Sequence, residues 1–347
     1  MFPLANLKKI AIIRRNGLGD LLCLFPTILY LKEKAKSAEI TLFVDHQNSP
    51  LLSYLPSVDN IVVFPTSGNK YLHLLRAALK MRWKKYDLAL SGKTSPMKLM
   101  NVFLFALGAK RRVAYCDESW HSRFINFSLP YHSVHLQNIH QAVRSLQMVA
   151  PHLSTIPSRF QPTITVPRCV KQLYQQEIVA LFSKTFGSSP MILLSASTNN
   201  PCNRLDPKNY AQIVNHAAQG LFIAALVIGL SKDQMRAKAI CNELIIPNAI
   251  YLPRNFDAFM VALDQCDLFF VGDGGVAHLG ASLNKKVVVL YGGVNPKQWT
   301  PLGREVDTFF HPHHVEKIEK QQIVHKLRTK IYESYHDRRE DMQSQDR

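Results

Sequence analysis

The chain has 347 residues, 47% hydrophobic and 19% charged, which suits a globular protein of two ordinary domains and excludes a disordered one. Its formal charge of +17 is uneven: residues 1–160 hold 21 Lys and Arg against 8 Asp and Glu, a balance of +13, while 161–347 hold 21 against 17. No apolar run reaches the ~18 uncharged residues that span a bilayer, so a membrane-spanning helix is excluded.

The elements are predicted in chain order as follows. After Lys8 and Lys9 comes "KIAIIR" (9–14), a β-branched run suited to a strand buried on both faces. It soon meets Arg14 and Arg15, so this beginning does not read as a signal peptide. "LLCLFPTILYLKEKAK" (21–36) has helical length and ends in lysines, as a helix C-terminus favours. "EITLFV" (39–44), "NIVVF" (60–64), "YDLALS" (86–91) and "RRVAY" (111–115) are further strands, with helices over 70–83 and 95–108. Four prolines in "APHLSTIPSRFQPTITVPR" (150–168) mark a linker.

The alternation then restarts. Strands are predicted at 191–197, 221–229, 249–253, 268–272 and 286–292, and helices at 171–186, 207–219, 232–243, 256–265 and 275–283. A closing helix is expected over 315–334 and a frayed polar tail over 335–347. The pattern predicts an α/β protein of two Rossmann-like, doubly wound domains, 1–160 and 161–334, facing a deep cleft. Ligands of such sheets bind beyond the carboxyl ends of the strands, which selects loops 15–20, 195–206, 229–233, 272–275 and 292–299. Six scattered cysteines without a C-x-x-C spacing fit buried free thiols in a reducing compartment.

Three of these loops carry chemistry. In "FFVGDGGVAHLGAS" (269–282), Asp273 ends a strand and Gly274 and Gly275 open a helix whose amino end suits a phosphate. His278 follows one turn in, and Gly292-Gly293 ends the next strand in a similar way. A helix cap, a tight turn and a core histidine are the competing structural roles. In "LLSASTNNPCNRLDPKNY" (193–210), Ser195, Ser197, Thr198 and Asn199 form a hydroxyl-rich strand end followed by Arg204. Asp206 then caps a helix with Pro207 at its first position. A cation here could neutralise a diphosphate leaving group without a metal, and a plain polar loop is the alternative. In "NGLGD" (16–20), position 22 is Leu, so the third glycine of a dinucleotide fingerprint is missing. Gly17 and Gly19 permit a tight loop, and Asp20 opens the helix as either an N-cap or a general base. The cluster "HPHH" (311–314) lacks acidic or cysteine partners, so no metal is expected.

Taken in order, "NGLGD", "GLSKDQ" (229–234) and "GDGGVAHLGASLNKKVVVLYGG" (272–293) resemble the lipopolysaccharide heptosyltransferases of glycosyltransferase family 9. "NIHQAVRSL" (138–146) resembles that family's His-x-x-x-Arg segment, placing His140 and Arg144. The resemblance covers essentially the whole chain, with departures: Gly274 stands for a Ser or Thr, Gly293 for a proline, Ser91 for an Asp, and "CNRLDP" for a lysine shortly before Trp-Pro. It implies a GT-B fold, with the acceptor on the first domain and a nucleotide sugar on the second. It further implies inverting heptose transfer from ADP-heptose to a phosphorylated lipid A–core acceptor, without metal or other cofactor. Asp20 would be the general base. Ser197, Thr198, Arg204, Asp273, Gly274, Gly275 and His278 would hold the donor. Gly17, Gly19, Lys93, Lys110, Arg111, Arg112 and Arg144 would serve the acceptor. The basic first half would meet an anionic membrane surface, giving a cytoplasmic monomer at the inner face of the inner membrane, with no nucleic-acid partner. The alternatives are a sugar-nucleotide epimerase of the same fold, or a family member that binds an anionic lipid or nucleic acid without catalysis.

Overall fold

The computed structural model describes residues 3–15, 17–55, 57–182 and 189–345. The chain divides into two compact units: Met1–Pro162 with Lys297–Trp299, and Thr163–Pro296 with Thr300–Arg347.

The first unit runs β1 (Lys9–Arg14), α1 (Leu18–Lys34), β2 (Glu39–Asp45), β3 (Asn60–Phe64), α2 (Lys70–Met81), β4 (Leu88–Ser91), α3 (Lys98–Leu107), β5 (Arg111–Cys116), β6 (Phe127–Pro130), α4 (Ser133–Leu136) and α5 (Gln141–Gln147). Its sheet is wholly parallel, in the order β3-β2-β1-β4-β5-β6. β1 is central, with Ile10 opposite both Ile40 and Leu88. All its residues after Lys9 are buried, as an unbroken β-branched run requires. The chain turns outward from β1 to β3, then returns to the other side of β1 for β4. The crevice between the β1 and β4 exits is therefore the topological switch point of this sheet.

The second unit runs α6 (Arg168–Val179), β7 (Met191–Ser195), α7 (Pro207–Ala218), β8 (Ala224–Ile228), α8 (Gln234–Glu243), β9 (Asn248–Tyr251), α9 (Phe256–Gln265), β10 (Leu268–Gly272), α10 (Gly275–Ser282), β11 (Lys286–Gly292), then, after α11 (Pro296–Trp299), of which all but Pro296 groups with the first unit, β12 (Val306–His311) and α12 (Lys320–Gln345). Its sheet, β12-β11-β10-β7-β8-β9, repeats the first topology with its switch point between β7 and β10. The first unit centres on Ala11, Phe43, Phe64, Ala89 and Phe103, and the second on Leu194, Val214, Val227, Phe270 and Leu290.

Three differences from the sequence reading have physical causes. Strands β6 and β12 were not expected, because each is a sheet edge with most residues at least partly exposed and no continuous apolar run. The helix expected over 171–186 spans Arg168–Val179, and 183–186 lie outside the described residues. The closing helix does not fray at 335. It is α12, Lys320–Gln345, whose Ile323, Leu327 and Ile331 enter the core. Beyond them the Tyr335 hydroxyl bonds the Phe222 carbonyl, and Arg338 pairs with Asp267 at 2.8 Å. Among the described residues, no helix is long and apolar enough to cross a membrane.

Candidate functional site

In the first unit, chemistry collects at the β1/β4 switch point. Arg14, the last residue of β1, is only 3% exposed. Its Nη1 donates to the Gly92 carbonyl after β4, and its Nη2 to the Asp20 carboxylate. The two exits meet because position 92 is glycine: a Cβ there would lie 2.8 Å from the Ile13 oxygen and 3.1 Å from the Arg14 side chain. The helix cap at the start of α1 is Gly17, and Asp20 stands at the third helical position, so Asp20 is not the N-cap. Its Oδ1 takes the Arg14 ion pair. Its Oδ2 lies 3.7 Å from where a Gly17 Cβ would sit, so any side chain at position 17 would pack against that oxygen.

Beside this pair is a pocket of about 240 Å³ with Arg14, Arg15, Lys70 and Lys93 on its walls and Ile13 and Met100 among its apolar lining. Burial lowers the pKa of Arg14, and the adjacent Asp20 opposes that shift. Arg14 Nε is buried without a hydrogen-bond partner among the described residues. Burial, and then repulsion from Arg14, lower the pKa of Lys93, with Asp20 again acting in the opposite direction. Arg15 is held by Asp45 at 2.7 Å and stands 5.8 Å over the Phe64 ring. The site thus sets a carboxylate beside the desolvated cations Arg14 and Lys93, with Arg15 and Lys70 nearby, where a phosphorylated hydroxyl compound would find complementary charge.

The other basic residues expected to serve the acceptor are placed elsewhere. Arg111 and Arg112 begin β5, so they stand at the amino end of the sheet, opposite the β1 and β4 exits. Arg112 locks that end, bonding the carbonyls of Phe124 at 2.7 Å and Ala109 at 2.8 Å. Lys110 pairs with Asp87, whose other oxygen accepts the Lys8 and Lys9 N–H groups. Arg144 is buried in α5 and donates to the carbonyls of Ile139, at 3.1 Å, and Leu136. His140 caps the same helix by accepting from Ala142 N–H. The His-x-x-x-Arg pattern therefore anchors a turn, whereas Gly17, Gly19, Asp20 and Lys93 meet at the switch point.

In the second unit the β7/β10 switch point gathers "SASTNNPCNR", Asp273 and the start of α10. Gly274 is the N-cap of α10, and a Cβ placed on it meets nothing within 4 Å, so that side of the amino end is open. Asp273 accepts from Asn203 Nδ2 at 3.4 Å. The same Asn203 is buried, and its Oδ1 accepts from Gly292 N–H at 2.6 Å. This explains two glycines: a Cβ on Gly272 would overlap the Asn203 carbonyl, and one on Gly292 the Cys202 carbonyl. They admit the 3-10 turn Pro201–Asn203, so Gly292 does not serve as an anion cradle, contrary to expectation. Ser197 is also occupied, donating to Asp233 at 2.5 Å and accepting from Leu230 N–H at 2.9 Å, which joins the β7 and β8 exits. Thr198 bonds the Asn200 carbonyl.

Arg204 donates to the Thr198 carbonyl at 3.0 Å, yet its Nε is buried without a partner among the described residues. Arg236 lies near enough to be repelled by it, and its Nε is likewise buried without a partner among the described residues. Burial comes first and Arg204 repulsion adds to it in lowering the Arg236 pKa. Two neighbouring guanidiniums, with burial disfavouring the charge of Arg236, favour an anion of more than one charge. His278, expected to hold the donor, is buried within α10. Asp206 caps α7 through Lys208 N–H with Pro207 following, as expected. In "HPHH", His311 accepts from the N–H groups of His313 and His314, so the run is a self-bonded turn.

Sequence reasoning passed over Arg14, Arg15, Lys70, Asn203 and Arg236 as site residues. Arg14 carried a usable signal as a charge closing a buried strand, and Arg15 as the first residue of a selected loop. The other three owe their place to contacts between distant segments.

Residues 74–328 match the family model for glycosyltransferase family 9 (heptosyltransferase). Lipopolysaccharide heptosyltransferase 1 of Campylobacter coli is 33% identical over 79 residues, a stretch covering 23% of this chain and 23% of that protein. A family 9 glycosyltransferase from Veillonella parvula superposes with a TM-score of 0.80 at 16% identity, over 96% of this chain and 99% of the other. The ADP-heptose lipopolysaccharide heptosyltransferase II of E. coli gives 0.76 at 18% identity, over 94% and 99%. At such identities the likeness establishes the fold, which is GT-B. With the family model spanning most of its length, the chain belongs to glycosyltransferase family 9, the heptosyltransferases.

Proposed function

We propose that the protein transfers a heptose from ADP-heptose to a hydroxyl of a phosphorylated lipid A–core acceptor, with inversion at the anomeric carbon. The observation that carries this reading is the Asp20–Arg14 pair beside the cationic pocket at the first switch point. The pocket cations Arg14, Arg15, Lys70 and Lys93 bind acceptor phosphate and hold the nucleophilic hydroxyl near Asp20. Asp20 Oδ2 takes the hydroxyl proton as the oxygen forms its bond to the anomeric carbon. The bond from that carbon to the diphosphate oxygen breaks at the same time, and ADP leaves with the electron pair. A weakly basic carboxylate suffices, because the hydroxyl becomes acidic only as attack proceeds. In the second unit the α10 amino end, Arg204 and Arg236 receive the charge that develops on the diphosphate. Asp273 is directed at donor hydroxyls. The acceptor's lipid places this chemistry at an anionic membrane surface, on the cytoplasmic side, where the +13 of residues 1–160 is complementary.

The test is Asp20→Asn, which retains an oxygen for Arg14 while removing the base. Transfer from ADP-heptose to deacylated acceptor is expected to fall at least ~100-fold, with ADP binding retained. Unchanged turnover overturns the assignment. Thermal shift with ADP, UDP and GDP tests the donor separately: ADP should stabilise the protein most, and stabilisation by UDP alone removes the heptosyltransferase reading.

A further inference from the structure

Between Asp59 and Asp87 the chain has six Lys and Arg and no acidic residue. This stretch contains α2, which has two unlike apolar faces. Leu74 and Ala78 enter the first unit's core with Phe64 and Phe103. Leu72, Leu75 and Leu79 lie at three- and four-residue spacing on another face, Trp83 follows in the 3-10 turn Arg82–Lys84, and the four are 44% to 71% exposed. Arg76 and Lys80 stand exposed beside this stripe. Lys70, at the head of the helix, also lines the cationic pocket.

A contiguous exposed apolar stripe marks a surface made to be covered. The charge around it selects the cover. A second copy docking by two-fold symmetry would bring the same cations face to face without an acid in the segment to oppose them. An anionic bilayer instead offers acyl chains to the leucines and phosphates to the lysines and arginines, and tryptophan favours the boundary between them.

We propose that α2 is the element by which the protein lies on an anionic lipid bilayer. Leu72, Leu75, Leu79 and Trp83 enter the border of the acyl chains, and Arg76 and Lys80 meet headgroup phosphates, while the same helix begins at Lys70, a residue of the pocket wall. The inference rests on the proposed function in taking the pocket's ligand to be the head of a lipid.

The experiment is co-sedimentation of the full chain with vesicles of phosphatidylethanolamine and phosphatidylglycerol, and with phosphatidylcholine alone. Binding to the anionic vesicles only is expected. The variant Leu75→Gln/Leu79→Gln/Trp83→Gln should lose about 10-fold or more in vesicle affinity, because the stripe supplies the insertion. Its circular dichroism and thermal midpoint should match the parent, since all three side chains are exposed. Arg76→Gln/Lys80→Gln should weaken anionic-vesicle binding and remove much of its salt dependence. Equal binding by the apolar variant, or no parental binding to anionic vesicles, overturns the proposal. So does a dimer in light scattering that the same substitutions dissolve, which would assign the stripe to a second copy. Transfer to a deacylated, water-soluble acceptor is measured in parallel and should persist in the α2 variants. Its absence from the parent protein would overturn the proposed function, while the vesicle arms would still decide the surface.

Discussion

Arg14 and Asp20 are six residues apart and meet because one ends a buried strand and the other lies in the first turn of the helix that follows. Each limits what the other can be. Replacing Asp20 with Ala leaves the Arg14 guanidinium buried with less compensation, and about 1–3 kcal/mol of stability should be lost in chemical denaturation. Asp20→Asn should lose much less, which separates the structural share of the residue from its chemical one. Gly17 acts on the other oxygen. Its φ of −71° is open to any residue, so Gly17→Val should fold normally. Crowding Oδ2 should nevertheless lower kcat about 10-fold. Lys93 supplies a pH signature. Burial and Arg14 lower its pKa, so the ammonium is lost below the ordinary lysine value near 10.5. Below the lowered pKa the group is charged and available to phosphate. As pH rises through it, acceptor KM should increase, and Lys93→Arg should shift that rise upward.

At the scale of elements, the second unit's site depends on one 3-10 turn lying across two strand ends. Pro201–Asn203 fits there because Gly272 and Gly292 have no Cβ, and Asn203 ties Gly292 to Asp273. Gly292→Ala should therefore destabilise the protein by about 1–3 kcal/mol, read as a fall of several degrees in Tm. Asn203→Ala should produce a similar loss, because it strands the buried Gly292 N–H. The alternation of strands with helices was legible in the sequence, and "KIAIIR", "NIVVF" and "KVVVLYG" coincide with β1, β3 and β11. The edges β6 and β12 were not, since an edge strand need not bury a continuous run. Loop position alone put Asp20 and Lys93 at the switch point where they stand, while nothing local showed that Arg111 and Arg112 begin β5 at the other end of the sheet or that Arg144 is buried in α5. Charge and loop position look alike whether an arginine meets a ligand or, as with Arg144, the carbonyls of Leu136 and Ile139.

For the whole molecule, each unit has its own core and its own switch point. Calorimetry should resolve two transitions, with ADP raising only the one that belongs to the unit of β7 to β12. A single transition displaced as a whole by ADP would contradict that expectation. By itself the sequence determined the α/β alternation, the loops at the carboxyl ends and the charge imbalance, because those depend on local periodicity and composition. Tertiary structure alone decided which loops meet. Arg14 reaches Gly92 across 78 positions, and Asn203 reaches Gly292 across 89. Strand order brings such pairs together, and nothing local encodes it. It also decided what each glycine clears space for: an incoming backbone at Gly92, Gly272 and Gly292, and the Asp20 carboxylate at Gly17.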